Sequence, residues 1–356
     1  MFSSDYLNKI TYQAVQQSYL SFSLAHKNIN TQLRNFFAPA AKPNTQTLNP
    51  ETLQQLQVRL TKLLEVDWED ARLGIYPQSL LFERPWQDFF FYYPFLWLDM
   101  PSIWERITKK QYQQFSPEIN LDGYPQYYLQ NFHYQTNGYL SHMSANLYDL
   151  QVEILFNGMG DAMRRRILAP LKQELEGLKR ESGEKMRVLD VGCGTGVTLK
   201  LIRAAITSAS LFGIDLSPTY LRKANDMLAA NSEELPQLLQ ANAEELPYRD
   251  DYFHGVTCVF LFHELPPVVR GKAIAEMFRV MKPGGVLVIC DSIQRRDSPE
   301  FQTMMNNFPA IFHEPYYQSY IHDDLEQRLH DAGFEQVRTE NHFVSKYWVA
   351  RKKNEI

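Results

Sequence analysis

Two hydrophobic periods divide this chain. From Asp5 to about Ala25 apolar side chains recur at helical spacing, with Tyr6, Ile10, Val15, Tyr19 and Phe22 near one face. The run Ala38-Pro-Ala-Ala-Lys-Pro-Asn44 breaks this pattern. Asn49-Pro50 then starts a second predicted helix as N-cap and first position, with Leu53, Leu56, Leu60, Leu63 and Leu64 as its apolar stripe. Nine aromatic residues from Trp86 to Trp104 follow, interrupted by Pro94 and Pro101. They read either as the core of a small helical domain or as the lining of an apolar site. Helices are predicted from about Ser144 to Phe156 and from Asp161 to about Lys179. Beyond them the period changes: Val188, Leu189 and Val191 form a short run without polar alternation, as a strand buried on both faces requires. Leu211 to Ile214 and Gly255 to Phe262 repeat that signal.

The first strand runs into Gly192, Gly194 and Gly196, spaced G-x-G-x-G. Glycine allows positive φ and lets a ligand approach the backbone closely. A dinucleotide fingerprint is spaced G-x-G-x-x-G, and its third glycine would fall on Val197. With Asp190 ahead of the turn, this loop resembles the nucleoside-binding loop of the class I S-adenosylmethionine-dependent methyltransferases. The second strand ends at Asp215, about twenty residues on, where a carboxylate can accept both ribose hydroxyls. Ser217 and Pro218 then read as N-cap and first position of a helix.

The resemblance extends over roughly residues 180 to 351. Gln240 to Pro247 resembles the family's adenine-gripping segment, with Asn242 where an aspartate is usual; Phe253-His254 stands for a Phe-Asp pair, and His254 is expected at the surface. Arg279 to Asp291 resembles the turn into the fifth strand, and Phe334–Phe343 with Lys346–Arg351 the closing antiparallel pair. The implied fold is α/β, a seven-stranded Rossmann-like sheet, preceded by a helical, aromatic-rich N-terminal domain. The expected division is 1–143 as that domain, 144–180 as connecting helices and 181–356 as the methyltransferase domain. The implied cofactor is S-adenosyl-L-methionine, on Asp190, Gly192, Cys193, Gly194, Thr195, Gly196, Asp215, Leu216, Asn242, Ala243 and Cys258.

Composition adds limits. The 356 residues suffice for two domains, and 44% hydrophobic content supports a substantial core. A formal charge of −5 gives no general attraction to nucleic acid, and none is expected as a partner. The basic runs Arg164–Arg166 and Arg351–Lys353 are expected as solvated faces. Three scattered cysteines make no disulfide framework and fit a reducing, cytoplasmic setting. Residues Met1 to Leu20 mix polar residues among apolar ones, unlike a signal peptide, and Phe89–Leu98 is too short to span a membrane. Oligomeric state is open.

The chemistry left to the protein is the placing of an acceptor in line with a sulfonium methyl. By the same resemblance, helices before the first strand cap the acceptor pocket, which places Phe132 to His142 near the methyl. Tyr134, Tyr139, His142, Phe262, His313, Tyr316 and Tyr317 are the expected substrate contacts. A hydroxyl acceptor must lose a proton, and histidine suits that near neutrality. His263, just after the strand Gly255–Phe262, and His133 are the expected bases; each has the alternative of a hydrogen-bonded structural histidine. No metal is expected, because no spacing such as H-E-x-x-H occurs. The expected function is methylation of a small, aromatic or apolar metabolite. The alternatives are a protein or RNA methyltransferase, against which Cys258-Val-Phe-Leu replaces an Asn-Pro-Pro-Tyr motif, and a non-catalytic cofactor-binding module.

Overall fold

A computed structural model describes residues 4–83, 86–230 and 234–353. The N-terminal half contributes helices α1 (Ser4–Phe37), α2 (Pro50–Arg72) and α3 (Trp86–Lys109), then α4 (His142–Leu155), α5 (Gly160–Arg165) and α6 (Leu168–Ser182). Asn49 caps α2 as predicted, accepting from the Thr52 amide at 2.7 Å. The segment predicted as one helix from Asp161 to Lys179 is two, α5 and α6.

The C-terminal half alternates β1 (Arg187–Val191), α7 (Val197–Ala205), β2 (Ser210–Asp215), α8 (Pro218–Ala229), β3 (Gln237–Gln240), β4 (Phe253–Val259), α9 (Pro267–Val280) and β5 (Met281–Ser292). After β5 come α10 (Gln302–Ile311), the short α11 (Tyr317–Tyr320), α12 (Leu325–Asp331), β6 (Phe334–His342) and β7 (Ser345–Lys352). The seven strands form one sheet in the order β3-β2-β1-β4-β5-β7-β6. Pairs from β3 to β5 are parallel, and β7 runs antiparallel to both β5 and β6. The order reverses between β1 and β4, so a crevice opens beyond the carboxyl ends of these strands, where ligands bind in such sheets.

One core layer packs β-sheet residues against α9 and α12, with Ile274, Met277 and Leu329 fully buried. The other joins Leu171, Leu199 and Ile202 to Tyr12, Trp68, Tyr76 and Leu81 of the N-terminal half. The two halves therefore share a core.

Two expectations, on Arg164–Arg166 and on His254, are corrected here. Arg164, Arg165 and Arg166 are buried instead of solvated. Arg165 makes a two-pronged pair with Asp67, Nε to Oδ1 at 2.9 Å and Nη2 to Oδ2 at 2.6 Å, and Tyr12 and Tyr76 donate to the same carboxylate at 2.5 and 2.6 Å. Arg166 pairs with Asp70, and Arg164 with Asp161 at 3.0 Å. Carboxylates, distant in sequence for Arg165 and Arg166 and three residues away for Arg164, thus make burial of these cations tolerable. The Arg351–Lys353 run differs: Arg351 pairs with Glu174, Lys352 with Asp251 and Lys353 with Glu335 at its exposed end.

His254 is also buried rather than at the surface, its Nδ1 accepting from the Arg187 amide at 3.1 Å and its Nε2 3.1 Å from Glu184. The aromatic stretch interrupted by Pro94 and Pro101 is a continuous helix, α3. Both prolines lie on its exposed side, where water can satisfy the carbonyls they leave unpaired. Tyr93, Leu96, Trp97, Met100 and Trp104 pack with α1 and α4 in a separate small core. Phe90, Phe91 and Leu98 remain exposed.

Candidate cofactor and acceptor site

The glycine turn between β1 and α7 adopts the conformation that glycine permits: φ is +72° at Gly192, +54° at Gly194 and +84° at Gly196. The amides of Gly192 and Cys193 donate to the Ile214 carbonyl, drawing the turn onto the end of β2. There Asp215 accepts from the Gly194 amide at 2.9 Å and from the Ser217 amide at 2.8 Å. Burial raises the Asp215 carboxyl to about 6, against the lowering effect of those two amides. Ser217 caps α8 as expected, accepting from the Tyr220 amide at 3.1 Å.

A cavity opens over this junction. Gly192, Gly194, Asp215, Leu216, Asn242 and Ala243 line it, as do Ala241, Leu261, Glu264 and Leu265. Asn242 Oδ1 accepts from the Glu244 amide at 3.0 Å, and Tyr127 Oη donates to Glu244 at 2.9 Å, closing that side.

The opposite wall is aromatic. Tyr127, Tyr128, Phe132 and Tyr139 come from the segment before α4, Tyr148 from α4 and Tyr220 from α8. Phe132 stacks on Tyr139 with centroids 5.4 Å apart, and Tyr139 meets Tyr220 edge-on at the same distance. Ser217 Oγ donates to the Tyr139 carbonyl at 2.6 Å, and Ser144 Oγ lies 2.8 Å from Tyr220 Oη. Thr195 donates to Asp149 at 2.9 Å, tying the glycine turn to α4. The covering segment and α4 are thereby anchored at three places, to Ser217, to α8 and to the glycine turn. His133, Tyr134, Asn137 and Gly138 all have positive φ, from +50° to +64°. Such strain concentrates at functional segments.

Beyond Glu264 lies a compact group of ionisable side chains. Tyr139 Oη donates to Glu264 Oε1 at 2.5 Å. His133 Nε2 is 3.8 Å from that oxygen and 2.9 Å from Glu314 Oε1. His263 Nδ1 meets Asp291 Oδ1 at 2.7 Å, leaving its Nε2 3.9 Å from Glu264. Burial pulls both histidines down, but facing carboxylates outweigh it, lifting His133 to about 10 and His263 to about 9. Burial pushes Glu314 up.

Several expected site residues do not line the cavity. Asp190 lies buried in β1, accepting from Thr257 Oγ1 at 2.6 Å, and burial raises it to about 7. Cys193 turns inward: a side chain on Gly213 would come within 2.9 Å of its sulfur. Gly196 packs α7 against α8, and Thr195 acts through Asp149. Cys258 is fully buried in β4. Among the expected acceptor contacts, Tyr139 alone lines the cavity. His142 is exposed, 3.4 Å from Arg222. Tyr134 packs near Tyr112 and His313, and His313 stacks on Tyr112 and bonds Gln130 at 3.0 Å. Phe262 is a core residue and Tyr317 lies 2.9 Å from Ser292 Oγ. Tyr316 sits at the edge of the Phe132 cluster. His133 and His263 stand behind Glu264.

The aromatic run of α3 contributes nothing to this cavity among the described residues. Tyr148 and Tyr220 were not expected there. A signal for Tyr220 exists: it is two residues after Pro218 at the start of the helix that follows Asp215.

A profile of the methyltransferase domain matches residues 188–285. An uncharacterized methyltransferase of Synechocystis is 31% identical over 166 residues, covering 46% of this chain and 73% of that protein. The chain belongs to the class I S-adenosylmethionine-dependent methyltransferases. It is also similar to the demethylmenaquinone methyltransferase of Desulfitobacterium hafniense, at 29% over 149 residues, covering 41% of this chain and 54% of that one. The chloroplastic tocopherol O-methyltransferase of Arabidopsis thaliana is 28% identical over 225 residues, with 59% and 62% covered. The chain thus spans about half to three-fifths of the length of these last two relatives.

The site fits a nucleoside cofactor by its own geometry. Among the described residues, a Cβ on Gly194 would meet no atom within 4 Å, so the turn leaves open space beside Asp215, and the Oη of Tyr128 at the cavity wall is buried without a partner. No helix among the described residues is long and apolar enough to cross a membrane.

Proposed function

We propose that the protein transfers the methyl group of S-adenosylmethionine to a small aromatic or apolar metabolite held under the aromatic wall. The observation that carries this reading is the cavity itself: Asp215 and the glycine turn on one side, six aromatic rings on the other. When bound, the cofactor supplies a methyl carbon attached to a positively charged sulfur. Asp215 would accept from the ribose hydroxyls, while Asn242 and Ala243 would flank the base.

Phe132, Tyr139, Tyr148 and Tyr220 would hold the acceptor's face and exclude water. Attack in line forms the acceptor–carbon bond as the carbon–sulfur bond breaks, its electron pair staying on sulfur. A hydroxyl or ring-carbon acceptor then releases a proton. Glu264, which lines the cavity, is proposed to receive it, with His263 facing Glu264 from behind and Asp291 fixing that ring through Nδ1. His133, between Glu264 and Glu314, would position Glu264 rather than touch the acceptor. The names of the relatives, which act on demethylmenaquinone and tocopherol, support a hydroxylated ring carrying an apolar chain.

The test is incubation with methyl-labelled cofactor and a fractionated metabolite extract, followed by mass spectrometry of what gains label. Label in an apolar aromatic compound is the expected result. Label that disappears after protease or nuclease treatment would overturn it.

A further inference from the structure

The group behind Glu264 has a feature that proton transfer does not use. Glu314 is buried, its side chain wholly so, yet neither of its carboxylate oxygens accepts a hydrogen bond from any of the described residues. His133 Nε2 comes within 2.9 Å of one of them without the alignment that a hydrogen bond needs. A buried carboxylate left this way is costly unless something else satisfies it. Close approach without alignment is what donors show when they converge on a common point instead of on each other.

One donor atom from each of His133, Glu264 and Glu314 lies within 4.8 Å of the others. Donors about 2.1 Å from a shared ion stand roughly 3.0–3.4 Å apart at angles between octahedral and tetrahedral values. The 2.9 Å separation already meets this, and the wider ones, 3.8 Å from His133 Nε2 to Glu264 and at most 4.8 Å within the trio, would have to close as the Glu264 carboxylate turns onto the ion.

We propose that His133 Nε2, Glu264 and Glu314 form a site for one first-row divalent cation at the wall of the cavity. Imidazole with two carboxylates favours Mn²⁺, Fe²⁺ or Zn²⁺ over Ca²⁺, which takes oxygen donors alone. The surroundings support it. Asp291 holds His263 Nδ1, so that the Nε2 of this ring faces the cluster 3.9 Å from Glu264, as a fourth donor oriented by an outer carboxylate. Asp291 also accepts from the Phe262 amide at 2.8 Å, which keeps it in that outer role. Glu264 belongs to the cavity lining, so open coordination positions would face whatever occupies the cavity. Acceptors bearing a hydroxyl or adjacent oxygens would bind there. Cation binding itself does not depend on methyl transfer.

The experiment uses the full chain, stripped with chelator and desalted. Mn²⁺ is titrated with free ion followed by electron paramagnetic resonance, and Zn²⁺ by calorimetry. One ion per chain is expected, with Glu314→Gln weakening it at least about tenfold. Glu264→Gln serves as a second variant. Demethylated cofactor is titrated on the same samples, since retained affinity shows that the fold and the Asp215 region are intact. Absence of one-to-one binding of either ion up to about 1 mM, the weak end for protein cation sites, would overturn the proposal. Equal binding by the wild type and both variants would do so as well, leaving His133 to pair with the two glutamates in place of an ion.

Discussion

The amide of Gly194 donates to Asp215 Oδ2 at 2.9 Å, so the turn after β1 and the carboxylate at the end of β2 are built as one unit. Asp215→Ala should therefore weaken binding of S-adenosylmethionine and its demethylated product at least about tenfold, the equivalent of roughly 1.4 kcal/mol. Each charge-assisted hydrogen bond to a ribose hydroxyl contributes about 1.5–3 kcal/mol, so that figure is a lower bound. Calorimetry measures it, and unchanged affinity in a folded variant would remove Asp215 from the site.

The same carboxyl predicts a pH dependence. Burial raises it to about 6, and the ionised carboxylate is the form with both oxygens free to accept from the ribose hydroxyls. Affinity for the demethylated cofactor should be full at about pH 8 and fall by up to about tenfold per pH unit below the Asp215 value. Asp190, raised to about 7, lies nearby, so the control is Asp215→Asn. A flat profile in that variant assigns the titration to Asp215. A profile matching the wild type would assign it elsewhere.

Two glycines of the turn should behave differently when substituted. At Gly194 a side chain meets open space, so Gly194→Val should fold yet lose cofactor affinity, because it disfavours φ of +54° and fills the ligand's approach. At Gly196 a Cβ would come within 2.9 Å of Ala224 Cβ, so Gly196→Ala should lower stability first. Circular dichroism and thermal melts beside cofactor titration separate the two. Normal binding by Gly194→Val would show that the loop is not the cofactor site.

Arg165 and Asp67 tie the N-terminal helices to the rest of the chain. Asp67→Ala leaves the buried Arg165 guanidinium without its carboxylate and the Tyr12 hydroxyl without its acceptor, while Tyr76 keeps the backbone carbonyl of residue 67, and should cost about 3–5 kcal/mol in urea unfolding. A loss below about 1 kcal/mol would contradict the reading. Deleting residues 1–143 removes Asp67 together with Trp68 and Tyr76 from the shared core, so such a fragment should lack a cooperative melt. Point variants are therefore the means of testing the N-terminal half.

What could be read from the sequence was local. The strand β1, the glycine turn, the Asn49 and Ser217 caps and Asp215 each carry their signal within a few residues, and they fold as expected. Burial of Arg165 was not legible, because helical spacing shows a polar face without showing that Asp67 lies against it. His254 was misplaced for the same reason: its partners Arg187 and Glu184 are distant in sequence. The aromatic crowding before α4 pointed to the right segment, but its irregular backbone turns Phe132 and Tyr139 to the cavity and His133 and Tyr134 away. No period exists there from which to read which side chain faces inward. The trio of His133, Glu264 and Glu314 has no sequence spacing to announce it, since three separate segments supply its members.

The central claim is that cofactor and acceptor share the cavity beneath the aromatic wall. Phe132 is almost fully buried, stacked on Tyr139 and at the wall facing Asp215. The direct measurement is the single-turnover rate of label transfer from methyl-labelled cofactor to the acceptor found in extract, for wild type and Phe132→Leu, with demethylated-cofactor affinity measured on the same samples. The account predicts transfer slowed at least about tenfold by misplacement of the acceptor, with cofactor affinity nearly unchanged. Transfer at the wild-type rate by the folded variant would contradict it.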